Sequence, residues 1–387
     1  NPEPLSLADT YEAMTLIANA TPIKVGKKVV IGRDTQVDAY IGQFPKLARL
    51  YSFLLNRFII TNLAKAKLSK KLNETVEASD ILTNFEDFLS FLEHKADGTD
   101  QSVKTVQLFM NQQDPKYHDF LVKIASKSYK SGIAITNYNK IADKHGYECV
   151  PDFNVQLADN ISKVLDKFKA NTASYQEKVK LGKKAKPPVF NLVGNVYATE
   201  KFDGVRCIAM IANGKAHFYT RDGREITKLL ELTKELESLP FGDRVFDGEL
   251  MIDTETNQEV RAEDAFRATM KIVGSKNDKI GLVYHIFDTL QSPERFLTGE
   301  STLPYKSRRE WLDSHQIELN NLNHVLVAPV LKRFKIENTD DLEPIHELAS
   351  EVFGRGGEGI MLNYSETLYE FKRTRSLLKV KQFSEND

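Results

Sequence analysis

A lysine, an acid, a glycine and an arginine stand close together in Lys201-Phe202-Asp203-Gly204-Val205-Arg206, just after Tyr197-Ala198-Thr199, which reads as the end of a strand. A lysine here could attack a phosphorus atom, and an arginine beside it could steady the charge that develops. A free lysine has a pKa near about 10.4, so attack needs that value lowered, and nearby cations are one way to lower it. Lys379 and Lys381, in Leu377-Leu378-Lys379-Val380-Lys381, alternate on a predicted strand and so share one face. From that face they could neutralise a triphosphate and disfavour protonation of Lys201. The ordinary fate of a lysine is solvent exposure, but the apolar neighbours Leu377, Leu378 and Ile208 fit it poorly. A lone Lys-x-Asp-Gly-x-Arg recurs by chance in roughly one chain in a few hundred.

Two glutamates share a second pattern. Glu249 lies in Phe246-Asp247-Gly248-Glu249-Leu250-Met251 and Glu358 in Gly356-Gly357-Glu358-Gly359-Ile360-Met361. Each is an acid among glycines at the start of an apolar strand, where a carboxylate can accept a ribose hydroxyl or hold Mg²⁺. Either alone would more often be a turn acid. Phe287, in Tyr284-His285-Ile286-Phe287-Asp288, would alone be a core residue.

The elements that must position these residues fall in the second half of the chain. Residues 171–189 are polar and lysine-rich and end in Pro187-Pro188, as a linker would. Past it the hydrophobic period moves toward two. Residues 207–211 and 216–220 flank Asn213-Gly214, a hairpin signal. Further strands are predicted at Arg244-Val245-Phe246, Gly281 to Phe287, His324 to Ala328 (stopped by Pro329) and Gly359 to Asn363, with helices at Leu229 to Leu239, Ala262 to Val273, Lys306 to His315 and Leu342 to Phe353. The first half reads as helical: Arg49 to Leu68, a helix capped by Asp80 that buries Ile81, Phe85, Phe88, Leu89 and Leu92, and His118 to Tyr129 ended by Gly132. The first 45 residues carry no clear pattern. The expected division is therefore 1–170, a 171–189 linker, and 190–387.

Composition narrows the class. The 387 residues suffice for two to three domains. No run of eighteen apolar residues exists, so no membrane span is expected. Asn1-Pro2-Glu3-Pro4 lacks a signal-peptide layout, and with no initiator Met some residues, or a tag, are expected to precede it. With Cys149 and Cys207 as the only cysteines, a disulfide framework is excluded and a reducing cytoplasm is expected. Basic (53) and acidic (54) residues nearly cancel, yet Lys46, Arg49, Arg57, Lys65, Lys67, Lys70 and Lys71 form a local basic block, and residues 163–186 a second. Such blocks can hold phosphates or can simply be solvated helix faces.

Taken together, the ordered motifs resemble the signature set of the covalent nucleotidyltransferase superfamily, which comprises ATP-dependent DNA ligases, RNA ligases and mRNA capping enzymes. The resemblance covers about residues 190–387. Residues 376–383 and Pro304-Tyr305-Lys306-Ser307-Arg308-Arg309 resemble the DNA-ligase forms, and residues 107–141 resemble the DNA-binding domain of bacteriophage-type ligases. The resemblance implies a multi-domain protein: an all-α N-terminal DNA-binding domain, then an α+β nucleotidyltransferase (adenylation) domain with antiparallel sheets. A C-terminal OB-fold is expected too, but the sequence stops at Asp387 without one.

The same resemblance implies residue roles. Lys201 would form a phosphoramide with AMP, with Thr199 at the adenine edge, Phe287 stacked on adenine, and Arg206 and Glu249 at the ribose. Arg221 would bind a phosphate, Lys379 and Lys381 the nucleotide phosphates, and Glu249 and Glu358 would serve Mg²⁺. Arg373 or Arg375 matches a further phosphate-binding arginine, and spacing does not choose between them. Lys46, Arg49, Arg57, Lys65 and Lys67 would contact nicked double-stranded DNA. The implied protein is a monomeric, non-membrane ligase of DNA replication, repair or recombination, of viral or phage type and placed in the host cytoplasm. An RNA ligase, a GTP-using capping enzyme and a non-catalytic DNA-end-binding protein are the competing readings. Only the last dispenses with a nucleophile.

Overall fold

The computed structural model describes residues 5–381, and these divide into two compact units with the break after Asp152. The motif residues Gln382 and Phe383 lie outside the described residues. No helix among the described residues is long and apolar enough to cross a membrane.

The first unit is helical but not all-α. Between the helices Leu7–Asn19 and Arg33–Gln43 stands a two-stranded hairpin, β1 (Ile23–Val25) and β2 (Lys28–Ile31), turned at Gly26 with φ +62°. Its alternation is short and solvent-exposed, so the sequence there carried no periodic signal. The expected helix over 49–68 is two pieces, Leu47–Leu55 and Lys65–Leu68, separated by Asn62 in left-handed conformation. Asn84, not Asp80, caps the helix Phe85–His94, its side chain accepting from the Asp87 amide. Asp80 pairs instead with Lys95, and Ile81 is exposed. Phe85, Phe88, Leu89 and Leu92 are buried as expected. The helix His118–Ala125 ends before Gly132.

The second unit begins earlier than the sequence suggested. The strand β3 (Leu157–Asn160) and the helix Ile161–Lys180 already belong to it, because Ile161 and Val164 pack with Leu192, Val196 and Ile345 in its core. The expected linker therefore starts inside a helix. Lysines at positions 163–180 line its solvent face and mimic a linker's composition, while its two buried residues are too few to announce it.

Two five-stranded sheets follow. One has the order β10-β4-β11-β12-β3, with β4 Gly194–Lys201, β10 Val330–Ile336, β11 Gly359–Tyr364 and β12 Arg373–Lys381. The other has the order β6-β5-β7-β8-β9, with β5 Val205–Ala212, β6 Lys215–Tyr219, β7 Arg244–Ile252, β8 Leu282–Leu290 and β9 Val325–Val327. All pairs are antiparallel except β12 with β3 and β8 with β9. Asn213 and Gly214 both take positive φ at the β5–β6 turn. The first sheet packs against the helices Ile161–Lys180 and Glu343–Gly354, the second against Leu230–Glu237, Tyr305–Ser314 and Gln316–Asn320. Strand β9 ends at Val327, short of Pro329 as expected, and β10 begins directly after that proline in the other sheet.

Candidate active site

A cleft in the second unit is lined by residues of both sheets, among them Thr199, Lys201, Arg206, Glu249, Phe287 and Lys379. Register explains the meeting. Gly359 of β11 stands opposite Lys201 of β4 on one side and opposite Lys381 of β12 on the other. Glu358, one residue earlier, is thereby delivered between two ammonium groups: its Oε2 lies 2.7 Å from Lys201 Nζ and its Oε1 2.8 Å from Lys381 Nζ. Burial alone would raise the Glu358 pKa, but hydrogen bonds and charge from the two lysines bring it below the usual value. Gly359 is required here. Its φ is +151°, and an added Cβ would collide with the Val380 carbonyl oxygen.

Lys379 shares the β12 face with Lys381 and lies opposite Met361, as the alternation predicted. Its pKa is lowered, first by burial and then by Lys381, Arg373, Lys201 and Lys163. The cation cluster thus exists. Its nearest carboxylate is also in place, so Lys201 is held in an ion pair that must open before Nζ can attack anything.

On the second sheet Arg206 of β5 stands opposite Glu249 of β7. Its guanidinium nevertheless turns to Asp247, two strand positions away, with Nε and Nη2 each 2.6 Å from a carboxylate oxygen. Nη2 also donates to the Gln156 carbonyl at 2.9 Å, and the ring of Phe287 lies 5.3 Å from the guanidinium. Asp247 is fully buried, and the Tyr369 hydroxyl donates to it at 2.7 Å. Burial opposes the charge on Arg206, but Asp247 overrides it and raises the arginine's pKa above its ordinary value. Among the described residues Glu249 has no such partner. Burial pushes its carboxyl up to about 7 against the pull of Arg206, Lys201 and the Gly204 amide.

The remaining expected residues sort by position. Thr199 is buried at the cleft wall, its hydroxyl accepting from Asn363 Nδ2 at 3.2 Å. Arg221 reaches the rim from the turn after β6 and is well exposed. Arg373 lines the cleft and donates to the Ala158 carbonyl at 2.7 Å. Arg375 points into a separate groove, where Asn191, with its amide turned to satisfy both neighbours, accepts from it at 2.8 Å. Alternation alone would put both arginines on the face of Lys379, but the pairing of β12 with β3 shifts register between Thr374 and Leu378, and of the two it is Arg373 that lines the cleft.

The basic block of the first unit is largely neutralised internally. Arg49 pairs with Glu86 and Glu93, Arg57 with Asp152 and Lys70 with Asp100. Lys67 donates to the backbone carbonyls of Asn62 and Gly98. Lys46 and Lys65 are exposed. Of the acidic partners, Glu86, Glu93 and Asp100 follow the block within residues 74–100, and Asp152 lies further on.

Sequence reading missed Gln156, Asp247, Asn363 and Tyr369 as cleft residues. Asp247 had a signal, since it precedes Glu249 by one strand repeat. Tyr369 and Gln156 had none, because only tertiary structure brings them to Asp247.

A family model described as ATP dependent DNA ligase domain matches residues 153–381, more than half of the chain. The matched stretch starts where the second unit starts. Two solved structures, named Pmar-Lig_PreS3 and Pmar-Lig_Pre, each align with a TM-score of 0.59 at 19% identity over 96% of this chain and 78% of theirs, a likeness of fold. The ATP-dependent DNA ligase of bacteriophage T7, in complex with ATP, aligns over 59% of this chain and 68% of that one with a TM-score of 0.39 at 16% identity, too low to add to the argument. Comparison with curated protein sequences gave no match.

Proposed function

The chain belongs to the ATP-dependent DNA ligase family, and from that premise we propose that it seals 5′-phosphate/3′-hydroxyl nicks in duplex DNA through a lysyl-AMP intermediate on Lys201. The observation that carries this reading is the convergence of Lys201, Glu249, Phe287 and Lys379 on one cleft. Lys201 Nζ attacks the α-phosphate of ATP; an N–P bond forms and the bond to pyrophosphate breaks. The AMP then passes to the 5′-phosphate of the nick, and the lysine leaves. Finally the 3′-hydroxyl attacks that phosphate, a phosphodiester forms and AMP departs. Negative charge builds on non-bridging oxygens at each step, so pre-placed cations supply much of the rate.

The side chains divide this work. Phe287 offers a ring face to adenine and Thr199 a hydroxyl to its edge. Arg206 has committed Nε and Nη2, which leaves Nη1 for the nucleotide. Glu249 faces the ribose. Lys379, Lys381, Arg373 and Arg221 meet phosphates. When a triphosphate arrives, Glu358 gives up its lysines to the phosphate oxygens.

Among the described residues no group of three or more His, Cys, Asp or Glu is arranged to hold a metal. Mg²⁺ needs only one or two carboxylates when phosphates complete its shell, and Glu358 and Glu249 fit that role. Bound there with the nucleotide, it would neutralise phosphate charge.

In the first unit we assign DNA-phosphate contact to Lys65, which is exposed. Binding should then weaken as salt rises, and Lys65→Glu should weaken it further; unchanged nicked-DNA affinity would remove Lys65 from the interface. The reaction is tested by intact mass after incubation with Mg²⁺ and ATP or GTP, beside Lys201→Ala. An AMP adduct that needs Lys201 and disappears with nicked DNA is expected. A GMP adduct would make the protein a capping enzyme, and no adduct would refute the lysyl-AMP route.

A further inference from the structure

A second cavity in the same unit plays no part in the chemistry above. The buried ion pair of Arg308 with Asp288 stands between the two: Asp288 lines the cleft and Arg308 lines this cavity. It holds about 90 Å³ and is walled by Arg244, Thr289, Arg295, Ser301, Ser307 and Trp311, with Glu300 also on its lining. By a similar measure one water needs about 10–15 Å³, so there is room for a tetrahedral anion.

Arg244, the first residue of β7, is the group that needs explaining. Its guanidinium carbon lies 3.6 Å from the centre of the Trp311 ring, and Nη1 donates to Thr289 Oγ1 at 3.1 Å. Nε is enclosed and has no acceptor among the described residues. Arg308, by contrast, is neutralised by Asp288. Burial draws the Arg244 pKa down to about 10, with no carboxylate to offset it, so the group is still cationic at neutral pH. A cation with an enclosed, unmatched donor is a poor element of a core and a good element of an anion site. Its planar fork suits paired phosphate oxygens, and stacking on an indole fixes its plane. Arg295 adds a second positive charge, and Glu300 offsets one.

We propose that this cavity binds a phosphate group, gripped by Arg244 and by the hydroxyls of Ser301 and Ser307. The group is either inorganic phosphate or a nucleic-acid phosphodiester, which share the recognised oxygens. The site does not depend on the ligase reading, and its test needs no turnover.

Trp311 is the only tryptophan in the chain, so its emission reports on this cavity directly. The full chain is titrated with inorganic phosphate at constant ionic strength, with chloride as the control, and separately with nicked duplex DNA. A saturable change with phosphate but not chloride is expected, and Ser307→Ala should weaken it about tenfold or more. A change with DNA alone, weakened in the same way, assigns the site to a phosphodiester. Arg244→Gln should abolish either response; if that variant does not fold, Ser307→Ala decides. No saturable change with either probe, or wild-type affinity in Ser307→Ala and in folded Arg244→Gln, would mean that the cavity holds water alone and would overturn the proposal.

Discussion

Replacing Asp247 by asparagine removes one charge and almost no volume, which makes it a sharp probe of the Arg206 anchor. Both partners are shielded: Asp247 is 0% exposed and Arg206 18%, and the contacts are two hydrogen bonds of 2.6 Å. Breaking such a pair from one side typically costs about 3–5 kcal/mol, because the other charge stays buried and alone. The Tyr369 hydroxyl can still donate to the amide oxygen, so Asp247→Asn should sit near the lower end, at about 3 kcal/mol, and Arg206→Met near about 4. For a unit of this size that corresponds to a fall of about 6–12 °C in Tm for Asp247→Asn. The double variant should lose about 4 kcal/mol rather than the sum, a coupling of about 3. Urea unfolding followed at Trp311, which lies in the same unit, measures all four corners of the cycle. Additivity within about 0.5 kcal/mol would refute the argument. It would mean that Tyr369 satisfies Asp247, and the Gln156 carbonyl Arg206, without help from each other.

Glu249 holds a proton in the folded state up to about pH 7, whereas the unfolded chain releases it near about 4.3. Its contribution to stability should therefore fall as pH rises through that window, by about 4 kcal/mol in all, and then stay level; Glu249→Gln should flatten the slope, and an unchanged slope in urea titrations would sink the assignment. Arg373→Ala should slow formation of the AMP adduct by about tenfold or more, while Arg375→Ala should leave it within about twofold, as single-turnover mass measurements would report. Gly359→Ala should destabilise the second unit by more than about 2 kcal/mol, since it breaks the junction of three strands beside Glu358; a stable variant with a normal thermal melt would show that the β11–β12 register tolerates a side chain there.

Local signals carried most of the second unit. The Asn213-Gly214 turn, the alternation of Lys379 with Lys381 and the helices near 230–237 and 305–314 all obey short-range rules and appear within a few residues of expectation. The site motifs were legible for the same reason: each is a strand end with its own glycines. What stayed hidden depends on partners far apart in sequence. Nothing local says that Glu358 will neutralise Lys201, or that Tyr369 will meet Asp247. The basic block from Lys46 to Lys71 looked free because its counter-charges, Glu86, Glu93, Asp100 and Asp152, come from later segments. Residues 171–180, the second half of the helix Ile161–Lys180, read as linker because the helix's buried stripe is short.

The parallel pair of β3 with β12 joins the first strand of the second unit to its last, in the register of Leu157 with Arg373. A contact between such distant residues is among the slowest to form, since the whole intervening chain must be closed into a loop. It also sets an order of events during synthesis. The wall formed by Gln156 to Ala158 is made early and waits, while Arg373, Lys379 and Lys381 follow every other strand of the unit. No shorter nascent chain can hold both rims of the cleft, so the protein should acquire its grip on a nucleotide in one late step rather than by degrees.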